Sequence, residues 1–282
     1  MKKTKEYIKV KDSFYSNENF TLFLNESNEV LYTSPKPSER KLSEYYSSSQ
    51  YLSHKNSGST IFSKIYFISR RWMVFLKKEL ISGLCPQPGR IVDVGSGTGD
   101  FLSAQKKIGW TTLGIEPSLK AREIAEKLNV SHVSSLKELE ERTQDVITFW
   151  HSLEHVYDLD ETLNQAKRVL KNKGYLIVAC PNYTSWDAKY YRKNWAAWDV
   201  PRHLRHFSPN SLNLILNKEG FSQVQKKPLF LDAFYVSILS EKIQKNTFGF
   251  LKGILIGLVS NMIGFVSTNY SSHIYVFEKK SK

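Results

Sequence analysis

The sequence predicts an α/β fold: a largely parallel sheet covered by helices on both faces. Three observations lead there. From residue 90 to 228, short apolar runs alternate with amphipathic stretches. Helix stops and caps fall between them, among them Gly109, Ser118, Gly174 and Ser208. A glycine-rich turn, "VGSGTG", joins the first run to the stretch after it. Strands that alternate strictly with helices pair in parallel, because each helix carries the chain back across the sheet.

In order, "RIVDV" from Arg90 reads as a strand and "DFLSAQKKIG" as a helix closed by Gly109. "TTLGIE" is a second strand, and "SLKAREIAEKLN" a helix capped by Ser118. "DVITFW" is a strand, "DLDETLNQAKRVLKNKG" a helix ended by Gly174, and "YLIVACP" a strand stopped by Pro181. "SPNSLNLILNKEG" is a helix with Ser208 as its cap, followed by the strand "FSQVQKK". Before this alternation, "ENFTLFLNESNEVLYTSP" reads as a hairpin and "SERKLSEYYSS" as a short helix. "STIFSKIYFISRRWMVFLKKELISG" then reads as a long amphipathic helix entering the fold. Residues 1–58 are therefore expected to form an accessory segment, and 59–282 the main domain.

After the alternation, Phe248 to Val266 is apolar except for Lys252, Ser260 and Asn261. Its length is near the ~20 residues of a membrane span. A span would strand "SHIYVFEKK", which reads as the last strand of the same sheet, across the bilayer. Two readings stand for 248–266: a helix packed on the fold, or an amphipathic contact with a membrane surface or a partner.

At 282 residues, 41% hydrophobic and 13% aromatic, the chain can bury a sizeable core, which excludes wholesale disorder. Cys85 and Cys180 lie far apart, which argues against a disulfide framework or a cysteine zinc site and fits a reducing compartment. The basic N-terminus has no apolar run behind it and does not read as a secretory signal. A cytoplasmic protein is expected, membrane-associated on the second reading of 248–266. The net charge of +13 divides as +7 over residues 1–90, −2 over 91–180 and +8 over 181–282. Basic flanks concentrate anionic partners, although solubility explains them equally well.

"VDVGSGTGDF" puts Asp93, Gly95, Gly97 and Gly99 where the first strand turns into the first helix. Glycines let the backbone turn tightly and approach a ligand, and the helix N-terminus offers unpaired N–H groups. Dinucleotide-binding turns look similar. Here, however, Phe101 and Leu102 stand where such a turn would continue with G-x-x-G. Glu116 closes the second strand in "LGIEPS", placed to accept hydrogen bonds from both hydroxyls of a ribose.

Taken together, "VDVGSGTGDF", "GIEPS", "DVITFWHSLEHV" and "LKNKGYLIVACPN" strongly resemble class I S-adenosylmethionine-dependent methyltransferases, over residues 88–228. The resemblance implies a Rossmann-like seven-stranded sheet with helices on both faces. Its last strand would insert antiparallel beside the sixth, places that "SSHIYVFEKK" and "FSQVQKKP" fit. It implies S-adenosylmethionine as cofactor and S-adenosylhomocysteine as product. By that resemblance Asp93, Gly95 and Gly97 line the methionine end, Glu116 holds the ribose, Pro117 lies near the adenine, and Trp150 and His151 border the methyl donor. Residues 182–207 would cover the active site, and 229–270 would be a helical insertion on the substrate side.

Within the cover, "WDVPRHLRHFSP" resembles a recurring subgroup of bacterial small-molecule methyltransferases. Methyl transfer from a sulfonium is an in-line displacement, so the enzyme mainly aligns the nucleophile. An oxygen nucleophile gains from a base that titrates near neutrality, which suits histidine. The candidates are His203, His206, His151 and His155, with the first two favoured because the cover faces the substrate. Arg202 and Arg205 are candidate clamps for a carboxylate or phosphate. Trp198 and Tyr191, with Trp186, Tyr190 and Trp195, are candidate pocket walls. For each, the equal alternative is that ion pairs and packing hold the loop together.

His151 and His155 have i, i+4 spacing, but Glu154 is misplaced for a metalloprotease pair and no third ligand is evident. No metal is expected. "YTSPKPSERKLSEYYSSSQYLSH" is similar to the stretch that follows an N-terminal zinc ribbon in some members of the subgroup. "NESN", with Asn25 and Asn28, stands where the second cysteine pair would be. A metal-free remnant hairpin is expected, held by Phe20, Leu22, Leu24, Val30 and Tyr32.

The function expected is methylation of an oxygen or nitrogen on a small-molecule, glycan or lipid-linked acceptor of anionic character. One alternative is a nucleic-acid-associated protein using the basic flanks. Against it, "WHSL" replaces the "PPY"-type tetrapeptide that positions a base amine, and no RNA module is evident. Another is a homologue that binds the cofactor without turnover.

Overall fold

The structure is a computed structural model and describes residues 4–46 and 61–280, so the expected boundary at residue 58 lies outside the described residues. Two sheets organise the described residues. The first is antiparallel: β1 (Thr4–Lys11), β2 (Asn19–Asn25) and β3 (Val30–Ser34). Strand β1 was not expected from its sequence. Its side chains are mostly exposed and charged, and what makes it a strand is its pairing along β2 from Thr4↔Asn25 to Lys11↔Asn19. The β2–β3 hairpin forms as expected, with Phe20, Leu22 and Val30 buried. "NESN" builds its turn without thiolates: Asn25 Oδ1 accepts from the Ser27 N–H at 3.0 Å, and Asn28 Oδ1 from the Val30 N–H at 3.2 Å.

Helices α1 (Glu39–Tyr46) and α2 (Ile61–Leu84) precede the second sheet. Its elements follow as β4 (Arg90–Val94), α3 (Asp100–Lys106), β5 (Thr111–Ile115), α4 (Leu119–Glu126), β6 (Ser131–His132) and β7 (Gln144–Trp150). Then come α5 (Leu159–Val169), β8 (Leu170–Pro181), α6 (Trp186–Tyr191), β9 (Arg205–His206), α7 (Pro209–Lys218) and β10 (Phe221–Pro228). The chain closes with α8 (Phe230–Ile243), α9 (Gly249–Ser267) and β11 (Ser272–Lys279). The seven-stranded order is β10-β11-β8-β7-β4-β5-β6. Strand β11 is antiparallel to both neighbours and the remaining pairs are parallel, as the resemblance implied.

Caps fall where the sequence placed them. The Ala121 N–H donates to Ser118 Oγ at 3.3 Å, and Ser208 and Ser211 cap α7 reciprocally. One boundary differs. Helix α5 stops at Val169, five residues before Gly174, because fully buried Leu170 leaves the helical path and pairs with Gln144 in the sheet. The Lys279 ammonium then caps the Leu170 carbonyl at 2.6 Å.

The first sheet does not stand apart from the second. Strand β9, inside the cover, pairs with β3 through Leu31↔His206 and Tyr32↔Arg205. Val10, Phe20, Leu22 and Leu31 share one apolar core with Tyr191, Trp195, Trp198 and Val236. Helices α8 and α9 pack closely because α9 offers glycines: a Cβ on Gly253 would sit 2.6 Å from Ile238 Cα, and one on Gly257 2.7 Å from Phe234 Cα. The opposite face of α9, with Leu251, Leu255, Met262 and Phe265, is exposed. Since β11 follows α9 into the main sheet, this segment packs by one face and leaves the other bare.

Candidate active site

The turn after β4 is shaped by close approach. Gly95 has φ +80° and its backbone N–H donates to the Ile115 carbonyl at 2.7 Å. A Cβ there would lie 2.5 Å from Ser152 Cβ, so only glycine fits. Gly97 has φ +54°, and the direction its Cβ would take is open, with nothing within 4 Å. The turn therefore leaves room for a ligand against bare backbone. Glu116 borders it: its Oε2 accepts from the Gly97 N–H at 2.8 Å, and its Oε1 from the Ser118 N–H at 2.9 Å. Pro117 is exposed beside it. Asp93 is buried beneath the turn and accepts from the Thr148 hydroxyl at 2.7 Å. Burial raises its carboxyl to about 7, against the opposing pull of that hydrogen bond and of Lys77. Trp150 packs edge-on against Phe101, with the Lys77 ammonium 4.5 Å from its ring centroid. A glycine turn over open space, flanked by a surface carboxylate and a buried one, fits a nucleoside carrying an amino-acid tail.

Beside this turn lies a cavity of about 390 Å³. Its near wall is His151, Glu154 and His155; its roof is Ala196, Ala197, Asp199 and His203 of the cover. Asp232, Tyr235, Val236 and Leu239 of α8 close the far side, with Phe14 from the N-terminal segment. Ser152 links the two features: it packs on Gly95 and its hydroxyl donates to the Val94 carbonyl.

His151 does not have the chemistry of a base. Its Nε2 is 3.0 Å from Asp232 Oδ2 and its Nδ1 3.7 Å from Glu154. Burial disfavours its charge, but these carboxylates prevail and raise it to about 10, so it stands protonated at neutral pH. Nor do His151 and His155 share a helical face. Residues 153–155 make a single 3₁₀ turn, His151 has φ +54°, and the rings reach different partners. His155 Nδ1 faces the Arg202 carbonyl at 3.0 Å.

Of the cover residues, only His203 keeps its expected place. It lines the cavity, with Nδ1 donating to the Ala197 carbonyl at 2.9 Å. Burial and the neighbouring His155 hold it well below the ordinary histidine value, so its Nε2 carries a lone pair. His206 is a correction. As part of β9 it is buried against Thr33 and Trp198 and does not line the cavity, and burial pushes it down to about 3. Arg202 is another. Its side chain is 0% exposed, 3.0 Å from Asp12 and 2.6 Å from Asp199, so it ties the cover to the turn after β1 instead of meeting substrate. Arg205 donates to the Val156 carbonyl at 2.6 Å and lies over Tyr32, outside the cavity. Trp198 and Tyr191 are core residues: the Trp198 indole donates to the Arg192 carbonyl at 2.7 Å, and the Tyr191 hydroxyl to Glu241 at 3.1 Å. Sequence reasoning missed Asp232. Its one visible sign was a lone carboxylate within the apolar run "LFLDAFYVSIL".

Fold and site together define a class I S-adenosylmethionine-dependent methyltransferase. A family model described as a methyltransferase domain matches residues 66–226, more than half of the chain, and the chain belongs to that family. It is 29% identical over 103 residues to a ubiquinone biosynthesis O-methyltransferase of Pelagibacter ubique, a match covering 34% of this chain and 43% of that protein. It is 28% identical over 171 residues to a demethylmenaquinone methyltransferase of Thermotoga maritima, covering 51% and 74%. The chain thus spans less than half the length of the first of these relatives. Among solved structures, it is similar in fold to a phosphoethanolamine N-methyltransferase of Haemonchus contortus. That match has a TM-score of 0.54 at 15% identity and covers 99% of this chain and 69% of that one. A methyltransferase of Archaeoglobus fulgidus matches with a TM-score of 0.50 at 22% identity, covering 76% and 99%.

Proposed function

We propose that this chain methylates an oxygen or nitrogen of a small-molecule, glycan or lipid-linked acceptor bound in the cavity beneath the cover. The observation that carries the reading is continuity: Ser152 packs on the glycine turn, and His151 and Glu154, on either side of it in the chain, form the cavity wall. When bound, the cofactor supplies a methyl group already activated on a sulfonium sulfur. In this reading Asp93, Gly95 and Gly97 hold its amino-acid end, Glu116 the ribose, Pro117 the adenine side, and His151 borders the donor. His203 presents a neutral imidazole to the acceptor, which is what accepting its proton requires.

Ubiquinone and demethylmenaquinone figure in the names of two relatives. An apolar acceptor of that kind suits walls that include Phe14, Ala196, Ala197, Val236 and Leu239. The bare face of α9 supports a peripheral membrane contact that would bring such an acceptor to α8. Phe265 is 79% exposed there, and Phe265→Glu should reduce co-sedimentation with anionic lipid vesicles. Unchanged sedimentation would retire the membrane contact alone.

Calorimetry tests the cofactor half. S-adenosylhomocysteine should bind at one site, and Glu116→Ala should weaken it by about 1–3 kcal/mol, the cost of leaving the ribose hydroxyls without their hydrogen-bond partner. No binding at millimolar ligand would end the reading. Release of S-adenosylhomocysteine in the presence of an acceptor separates a working enzyme from a homologue without turnover.

A further inference from the structure

Glu154, His155 and His203 converge in the cavity wall, with one ligand atom from each within 4.8 Å of the others. Glu154 is 1% exposed, and neither of its carboxylate oxygens has a hydrogen-bond partner. Burying a carboxylate without a hydrogen bond is strongly unfavourable, and protonated His151 at 3.7 Å lends it charge but no hydrogen bond, so a cation bound directly to its oxygens would satisfy it. The histidines are oriented to help supply its ligands. A backbone carbonyl only accepts, so His155 Nδ1 donates to Arg202 O and His203 Nδ1 to Ala197 O. The Tyr46 hydroxyl also reaches His155 Nδ1, at 2.9 Å. Both Nε2 atoms are thereby left with lone pairs, the arrangement in which a second partner fixes the tautomer of a metal-binding imidazole. His203 Nε2 lies 3.9 Å from Glu154 Oε1, too far for a hydrogen bond and suited to an ion between them. His151 approaches Glu154 at 3.7 Å, but its nearer partner is Asp232 at 3.0 Å.

We propose that Glu154, His155 and His203 bind a first-row divalent cation in the acceptor cavity. Two imidazoles and one carboxylate suit Zn²⁺, Fe²⁺, Mn²⁺ or Co²⁺ better than Mg²⁺ or Ca²⁺, which prefer oxygen-only sets. Three protein ligands leave positions open on the cavity side. The acceptor class is then a molecule that presents an oxygen to the cation, and His203 acts as a ligand in place of accepting the proton itself. This last point rests on the cavity being the acceptor site; the cation site does not.

The test uses the full chain, freed of metal with a chelator and titrated with Co²⁺ alone. One equivalent should bind with visible d–d bands, and Zn²⁺ should displace it. Glu154→Gln, His155→Gln and His203→Gln should each weaken Co²⁺ binding at least 10-fold while still binding S-adenosylhomocysteine, which shows that they fold. On the unmodified chain, Cu²⁺ at the same site should show imidazole nitrogen couplings in electron spin-echo spectra. Absence of saturable Co²⁺ binding, or binding that all three folded variants retain, overturns the site. Co²⁺ binding without S-adenosylhomocysteine binding upholds the site and fails the methyltransferase reading. The converse fails the site alone.

Discussion

The glycine turn and the cover, both beside the same cavity, are built in opposite ways. The turn is local: Asp93 to Gly99 and Glu116 lie within 24 residues, and their geometry follows from three left-handed glycines and one strand end. The cover is held from far away. Arg202 pairs with Asp12, Thr33 donates to the His203 carbonyl at 2.6 Å, and β9 completes a sheet that starts at Thr4. A local site can be read residue by residue, because sequence neighbours are also spatial neighbours. A loop held by distant partners cannot, and there the same residue types serve structure and chemistry alike.

Breaking each region separately should expose the contrast. The largest effect is expected at Arg202, which is fully buried between two carboxylates. Arg202→Met leaves Asp12 buried without its cation and should lower unfolding stability by about 3–5 kcal/mol, read from denaturant midpoints. The Glu116→Ala variant is the counterpart in the turn: it should weaken the cofactor as above and lower the unfolding midpoint far less than Arg202→Met, since it deletes two backbone hydrogen bonds and leaves no buried charge unpaired. A Glu116→Ala variant destabilised as much as Arg202→Met, or an indifferent Arg202→Met, would undo the comparison.

The smallest effect sharpens the wall between the two regions. His151 is raised from 6.5 to about 10. A raised histidine contributes stability that is fully present below 6.5 and is lost as pH climbs through about 10. Asp232→Asn removes its nearest carboxylate. The His151 titration, followed by NMR of its ring protons, should fall towards 6.5, and the pH dependence of stability above that value should flatten.

Most of the main sheet was legible because its strands are short apolar runs bounded by caps and stops that act over four or five residues. Ser118 and Ser208 cap their helices as expected. Strand β1 and the early end of α5 were not legible, since each depends on a partner strand: β2 for one, Gln144 for the other. The cavity itself was half legible. Its histidine pair at 151 and 155 was visible as spacing, but which ring faces Asp232 and which faces His203 follow from α8 and the cover folding over them.

By itself, then, the sequence determined the alternation of the longer strands and helices of the main sheet, the glycine turn and the acidic residue beside it, because backbone sterics and capping act over short separations. Tertiary structure alone decided that Arg202, Arg205, His206, Trp198 and Tyr191 are structural and that Asp232 and Glu154 are buried in the site. Burial and pairing set both the charge and the reach of a polar side chain, and both depend on residues up to 190 positions away.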